Sequence, residues 1–590
     1  MNTRPPPLSG LGAHFDGAQT RFALYTTTAR ACAVRLLDAA GTRRPDLPME
    51  PRGDGLFVRI TPDAPPGTLY QFVLDGRALP DPFARDLPQG VHGPARVTRS
   101  TYAWRHGKGV RRPLSSQVIY ELHVGTFTPA GTFQAAQERL PDLVDLGVTT
   151  LELMPVAAFA GGRGWGYDGV GLFAPFAPYG SPDALRAFID AAHGLGLGVL
   201  LDVVYNHLGP AGNYLAAYSP DYFTRGAGNA WGDAPNFADP PMRTLVLDNA
   251  RYWLGEFRLD GLRLDATHAL VDPSPQHVLA ELVAMARALD PGLTLIAEDE
   301  RNEADLVRGV GLDAVWADDF HHALHVTLTG EHDGYFAAFE PGVAGVAQAI
   351  QQGWIYQGQH CAALGGPRGT PADGLPASAF VYCIQNHDQV GNRALGERLT
   401  ELVSVDVYCM ASGLLLFLPM TPLLFMGQEW AASTPFLYFT DHEPELGALV
   451  SAGRREEFKR FRAFSDPAVR ARIPDPQAPE TFARSRLRWD ERKEGYHARV
   501  LGLYRSLLAL RRSDPVLRDP ARERLTADTV GSVLRVRRWK GDATRTLLAN
   551  FSDTPVALGP LAHDRPRVLF TSGEPGSEGV VAPWTAVIVG

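Results

Sequence analysis

Lysine is nearly missing from this chain. Of 56 basic residues in 590, only Lys108, Lys459, Lys493 and Lys540 are lysine, and the 65 acids leave a formal net charge of −9. No basic field is available to attract a phosphate backbone, which excludes a nucleic-acid partner. Cysteine is as scarce. Cys32, Cys361, Cys383 and Cys409 show no metal-ligand spacing and suit buried thiols in a reducing compartment. Long apolar runs are lacking too: the longest, around Gly413 to Met426, is broken by Pro419 and Pro422 and cannot span a membrane. The first residues, MNTRPPPLSGLGAHFDG, have no apolar core of the kind a secretory signal needs. These absences imply a cytoplasmic protein.

What is present is more than one hydrophobic core can absorb, so two to four domains are expected from 590 residues. Residues 1–100 carry short alternating runs, TRFALYTT, ACAVRLLD, GLFVRITP and TLYQFVLDG, separated by Gly, Pro and Asp clusters. That pattern predicts a β-sandwich. Residues 101–515 begin with a basic linker, WRHGKGVRRP, and then alternate strands with helices. The near-continuous apolar runs are VIYELHV (118–124), TTLELMPV (149–156), GVLLDVVY (198–205), GLRLDA (261–266), TLIAED (294–299), AVWADD (314–319), FVYCIQNHD (380–388) and PLLFMGQE (422–429). Eight strands covered on both faces predict a closed (β/α)8 TIM barrel. Ser181 before Pro182 reads as a helix N-cap, and Ser274 before Pro275 repeats the pattern. A helical insertion is expected at about 450–490, around REEFKRFRAF, and a closing helix at 496–513. Residues 516–590 return to short alternating runs and predict a small C-terminal β domain.

Chemistry concentrates where the barrel runs end. Asp202, Asp265, Glu298 and Asp388 each close an apolar run, and in such a barrel those ends converge on one face. Arg263 and Asp265 are two apart, so on a strand they share a face, and the guanidinium would keep the carboxylate ionised as a nucleophile must be. A structural ion pair at a strand end fits the pair equally well. Glu298 ends LTLIAE, where desolvation would raise its pKa toward that of a general acid. A solvated acidic turn, EDERNE, fits that residue alone as well. Asp388 follows Asn386 and His387 and precedes Gln389 and Asn392, while DVVYNH adds Asn206 and His207. Tyr167 and Asp168 in WGYDG place an aromatic face beside a polar group, and His268 ends GLRLDATH. Asp318, Asp319, His321, His322 and His325 crowd WADDFHHALH, too polar a stretch for a core. A zinc site is conceivable there, but no HExxH and no dense oxygen-ligand loop is present, so neither a catalytic metal nor a cofactor is expected. Acid and carboxylate facing each other suit glycosidic bond cleavage.

Four of these segments, DVVYNH (202–207), GLRLDATH (261–268), IAED (296–299) and QNHD (385–388), resemble the signature segments of the α-amylase superfamily of retaining glycoside hydrolases and transglycosylases. The resemblance implies Asp265 as nucleophile, Glu298 as general acid/base and Asp388 as the third carboxylate on the distorted sugar. Arg263, His207 and His387 would hold that sugar, and Tyr167 would stack beneath it. LPDPFARDLPQGVHGP resembles members with a carbohydrate-module-like front domain. DGLRLDATHAL, IAEDERNE, WADDFHHALHVTLTGEHDGYF and QNHDQVGNRALGERL look like the maltooligosyltrehalose trehalohydrolases, over nearly the whole chain. FMGQEW departs from the FMGEEW expected there, Gln428 standing in place of an acid. The implied reaction is hydrolysis of the α-1,4 bond next to the terminal trehalose of maltooligosyl trehalose. Partners would be that substrate and related α-glucans. Asp318, Asp319, His321, His322, Gln389 and Asn392 are the expected contacts to the trehalose unit, with Asp168 and His268 among the other substrate contacts. A glucan branching enzyme and a non-catalytic glucan-binding protein are the alternatives. The second has no need of an acid and a nucleophile facing each other.

Overall fold

The structure is a computed structural model that describes residues 8–590 apart from 39–40, 108, 230–231, 363, 458, 460, 560–566 and 574–578. The first seven residues of the N-terminal stretch, Lys108 in the linker, and Phe458 and Arg460 in REEFKRFRAF therefore lie outside the described residues.

The four alternating runs near the N-terminus form the strands Thr20–Tyr25, Cys32–Leu37, Leu56–Thr61 and Leu69–Leu74 of two antiparallel sheets. Alternation puts Cys32, Val34 and Leu36 inward, where they join Phe22, Tyr70 and Phe72 in one core. The rings of Phe22, Tyr70 and Phe72 pack edge to face. A five-stranded antiparallel sheet ends the chain, built on Leu525–Val530, Val533–Lys540, Ala543–Asn550, Ala586–Val589 and Val568–Thr571.

Between them eight parallel strands close a barrel: Ile119–Leu122, Thr150–Leu153, Gly198–Val203, Gly261–Leu264, Thr294–Glu298, Ala314–Trp316, Phe380–Tyr382 and Thr421–Phe425. The first pairs with the last, Tyr120 opposite Leu424. Inside, Ile119, Leu200, Ile296, Trp316, Val381 and Leu423 make an apolar layer. Side chains two positions on share that inward face. Beyond Ile119, Leu200 and Ile296 they are the acids Glu121, Asp202 and Glu298, and beyond Val381 and Leu423 they are Cys383 and Phe425. Asp318 follows Trp316 at the start of a helix, so an apolar floor carries acids above part of it.

The strands are shorter than the runs that predict them. After Trp316 the chain turns at once into the helix Asp318–Thr329, so WADD is a helix start and not a strand end. Ser181 caps Pro182–Gly194 as expected, its hydroxyl accepting from the Ala184 amide. Ser274 does not cap. The Asp272 carboxylate takes its amide, and the helix Val278–Leu289 begins later, capped by His277. Gln428 is fully buried, donating to the Tyr504 hydroxyl at 2.9 Å and accepting from the Phe425 amide at 3.2 Å. It ties the last barrel strand to the closing helix Gly495–Ser513, a job that needs a donor and an acceptor and no charge. The insertion forms Pro444–Glu457 and Pro479–Arg484 with shorter helices between. All four cysteines are buried, and among the described residues no helix is long and apolar enough to cross a membrane.

At the opposite end of the barrel Asp260 joins three elements. It accepts from the Val110 amide (2.6 Å), Arg111 (2.5 Å) and the Val199 amide (2.8 Å), and pairs with His193 (2.8 Å). Asp260→Ala strands these buried donors. The expected cost is ~3 kcal/mol, read as a lowered thermal midpoint with KM unchanged, because the face where the four acids converge is at the other end.

Candidate active site

One guanidinium organises the acidic layer. Arg263, 1% exposed, lies over the Trp316 ring at 4.3 Å. Its Nη1 donates to both oxygens of Asp202 (2.9 Å each) and to Asp265 (2.6 Å). Its Nη2 stands 3.6 Å from Glu298. Parallel pairing sets this up by putting Asp202 directly opposite Arg263. Burial pushes the Asp265 carboxyl up, but Arg263, His207 and the Asn206 amide outweigh it and leave Asp265 below its usual range. Burial raises Glu298 to about 8, with Asp265 and Asp388 adding to the rise and Arg263 opposing it. Two neighbouring carboxyl groups are thus split, one ionised and one protonated at neutral pH.

The backbone brings the two together. Ala266 adopts a left-handed φ of 39°, and its amide donates to Glu298 Oε2 at 2.6 Å. Glu298 is therefore tethered to the residue next to Asp265, at a local strain of ~1–3 kcal/mol.

A second chain of hydrogen bonds crosses the floor. Glu121 accepts from the His387 amide (2.8 Å) and Nδ1 (2.5 Å). His387 Nε2 meets the Tyr167 hydroxyl at 2.8 Å, and that hydroxyl donates to Asp202 at 2.6 Å. Tyr167 stacks on the His387 ring with centroids 5.2 Å apart. Asp388 is half exposed and accepts from Asn392 at 2.7 Å. Among the described residues no group of three or more His, Cys, Asp or Glu is placed to hold a metal ion.

The alpha amylase catalytic-domain family matches residues 78–236, carbohydrate-binding module 48 (isoamylase N-terminal domain) residues 10–103, and a domain family of unknown function residues 520–589. The malto-oligosyltrehalose trehalohydrolase of Deinococcus radiodurans is 50% identical over 597 residues, 100% of this chain and 98% of its own. The chain belongs to the malto-oligosyltrehalose trehalohydrolase family. The trehalohydrolase of Rhizobium sp. strain M-11 is 45% identical over 524 residues, 85% of this chain and 86% of its own. Among solved structures, a Salmonella typhimurium protein assigned as an alpha amylase superposes with a TM-score of 0.90 at 40% identity, covering 98% of this chain and 99% of that one. The barrel with a β domain at each end is thus shared with that solved structure.

Around this trehalohydrolase-family site the remaining expected residues fall into two groups. Asp318 is half-buried and raised to about 7 by burial and by Asp388. His207 is buried beside Asn206 and shifted down by burial. Asp168 stands 3.6 Å from His442, and His268 stands 3.9 Å from Glu300. Gln389 accepts from the Tyr335 hydroxyl at 3.3 Å. Tyr335 and Asn392 both line a cavity of about 660 Å³ with Phe336, Arg393 and Phe461.

Asp319, His321 and His322 are the correction. Asp319 is fully buried and engaged by Arg368 (2.9 Å), Asn302 (2.8 Å) and the amides of Ile355 and Tyr356 (2.7 and 3.0 Å). All three hydrogen bonds fall on Oδ2, and Oδ1, beside Arg368, is enclosed away from any sugar. His321 and His322 bond each other through Nδ1 at 3.0 Å and are enclosed by Phe336, Phe339 and Tyr335, held neutral by burial. Enclosure by Arg368, Asn302 and the aromatic rings around the two histidines, and not helix periodicity, takes these groups out of reach. Sequence reasoning missed Glu121, Trp316 and Arg368. An acid inside the apolar run VIYELHV was the one available signal for the first.

Tyr167 reaches His387 because Gly166 holds a φ of 102°, and a Cβ there would meet the Pro155 carbonyl oxygen at 2.2 Å. Gly166→Ala is expected to displace Tyr167 and lower kcat/KM on a maltooligosyl substrate by about 100-fold with the far-UV spectrum retained. Steady-state kinetics beside circular dichroism checks it.

Proposed function

We propose that the chain hydrolyses the α-1,4-glucosidic bond next to the terminal trehalose of maltooligosyl trehalose, releasing trehalose with net retention. The observation that carries the reading is the split of two acids around Arg263, with Asp265 ionised and Glu298 protonated. Glu298 gives its proton to the leaving trehalose oxygen while Asp265 attacks the anomeric carbon. A β-glycosyl-enzyme forms and the C–O bond to trehalose breaks. Glu298, now a carboxylate, takes a proton from water, which attacks the same carbon and frees Asp265. Two inversions give retention, and the carboxyl groups must stand about 5–5.5 Å apart for it. Asp388, held by Asn392, bonds the hydroxyls of the flattening ring, and Tyr167 supports its apolar face.

Selectivity comes from the leaving side. Trehalose has no reducing end, and a pocket that bonds its hydroxyls leaves buried polar groups unpaired when plain maltose enters. Asp318, Gln389 and Asn392 are the residues we assign to it, beside the cavity lined by Tyr335. We also infer residence in the cytoplasm and domain boundaries near 1–100, 101–515 and 516–590.

Product analysis with maltotriosyl trehalose tests the reaction. Free trehalose and maltotriose are expected. New 1,6-linkages on amylose would make the chain a branching enzyme instead. The pH profile of kcat/KM should hold through neutrality and fall above about pH 8, as Glu298 loses its proton. On the acid side it should fall only below the ordinary aspartate range, where Asp265 gains one. Gln389→Ala should reduce the preference for maltotriosyl trehalose over maltopentaose about tenfold, the ~1.4 kcal/mol of one hydrogen bond, measured as the ratio of kcat/KM values.

A further inference from the structure

Two acids in the barrel take no part in the reaction above. Glu121 and Glu152 sit opposite each other on the first two strands, each 1% exposed, inside the barrel. Neither carboxyl oxygen of Glu152 has a hydrogen-bond partner. Glu121 has two, both from His387, which lies 266 residues away in sequence.

The protons along this chain can be counted. Tyr167 has a single hydroxyl proton, and Asp202 receives it at 2.6 Å. Toward His387 Nε2, 2.8 Å away, the phenol oxygen can then only accept, so Nε2 carries a proton. On the other side Nδ1 points at a carboxylate oxygen of Glu121 at 2.5 Å, and a carboxylate only accepts. Both ring nitrogens therefore hold protons. We propose that Glu121 is a positioning residue for catalysis: by accepting from the amide and Nδ1 of His387 it fixes that ring as an imidazolium, with Nε2–H under the Tyr167 oxygen and the positive charge facing the glucosyl ring.

The surroundings agree. Burial pulls His387 down, but Glu121 outweighs it and, with Asp388 adding and Arg263 opposing, leaves the ring at about 9. Glu152, raised by burial, Glu121 and Asp202, stays neutral and does not compete for the ring. His123, the other histidine facing it, is pulled down to about 3 by burial and is neutral as well. Asp202, raised by burial to about 6, is ionised at neutral pH and bonded to Arg263 and Tyr167. Trp165 and Trp316 cover the rest of the ring with centroids 5.6 and 6.0 Å away, which keeps water from supplying the charge-compensating bonds instead. The imidazolium adds a second positive charge beside Arg263 among the carboxylates of the acidic layer. It anchors Tyr167 without neutralising Asp265 directly.

The protonation of His387 stands apart from the glycosidase reading, while its service to catalysis rests on that reading. Its first test needs no turnover. In wild-type protein carrying 15N-histidine, with His387→Asn used to assign the signals, His387 should show two protonated ring nitrogens from pH 6 to 8. A neutral ring at pH 7 overturns the proposal whatever the enzyme hydrolyses. The second test is Glu121→Gln, which keeps an acceptor for Nδ1 and removes the charge. A ring returning to its ordinary value near ~6.5 or below leaves about a tenth of it charged at pH 7.5, so kcat should fall about tenfold, KM stay within twofold, and the alkaline limb move to lower pH. Glu121→Gln that folds with wild-type kcat and pH profile overturns the proposal. Should the variant not fold, the wild-type spectra decide.

Discussion

A single buried cation shared among three carboxyl groups is the constraint on which the site depends. Arg263 is bonded to Asp202 and Asp265, close to Glu298, and buried. Burying charges is costly, and the cost is tolerable only while cations and anions stay near balance. Arg263 and the His387 imidazolium leave Asp202, Asp265 and Glu121 with one negative charge in excess. A further ionised carboxyl would add to that excess, and burial together with these neighbours keeps the proton on Glu298. The general acid that the reaction asks for thus follows from burial, with the neighbouring carboxyl groups of Asp265 and Asp388 adding to it.

The scaffold makes this crowding affordable by keeping it one layer deep. Ile119, Leu200, Ile296 and Trp316 form a dry floor, and the residues two positions on are acids. The strand period turns one pattern into two layers, the lower supplying burial energy and the upper chemistry. The far end carries its own buried acid, Asp260, but every partner of that residue is structural. Function and stability are segregated along the barrel axis, as the topology leads one to expect.

The eight strands, the end domains and the Arg263–Asp265 pair were legible because each rests on a periodic pattern or a spacing of two. What was hidden rests on contacts between distant segments. Glu121 reads as an odd acid in an apolar run until His387 arrives beside it. The helix after Ser274 starts late, with Asp272 accepting from the amides of Ser274 and Val278, contacts that a Ser-Pro motif does not reveal. Gln428 read as a departure from an acidic position. In the fold its neighbour Glu429 is already pushed up to about 7 by burial, and an amide fills the place without adding charge.

Asp318 and Asp319 show why polarity in a sequence stretch does not assign a site. Both open the same helix, where its positive end favours acids. One residue of rotation separates their fates. Asp318 is raised to about 7 by burial and by Asp388 and is only half-buried. Asp319 turns inward and gathers Arg368, Asn302 and the amides of Ile355 and Tyr356. Arg368 in turn lies over the Tyr356 ring at 5.1 Å. Asp319 therefore holds the segment around Tyr356 in place. Its removal would loosen the segment around Tyr356 and blunt selectivity indirectly, so a loss of substrate preference on changing Asp319 cannot by itself mark a sugar contact.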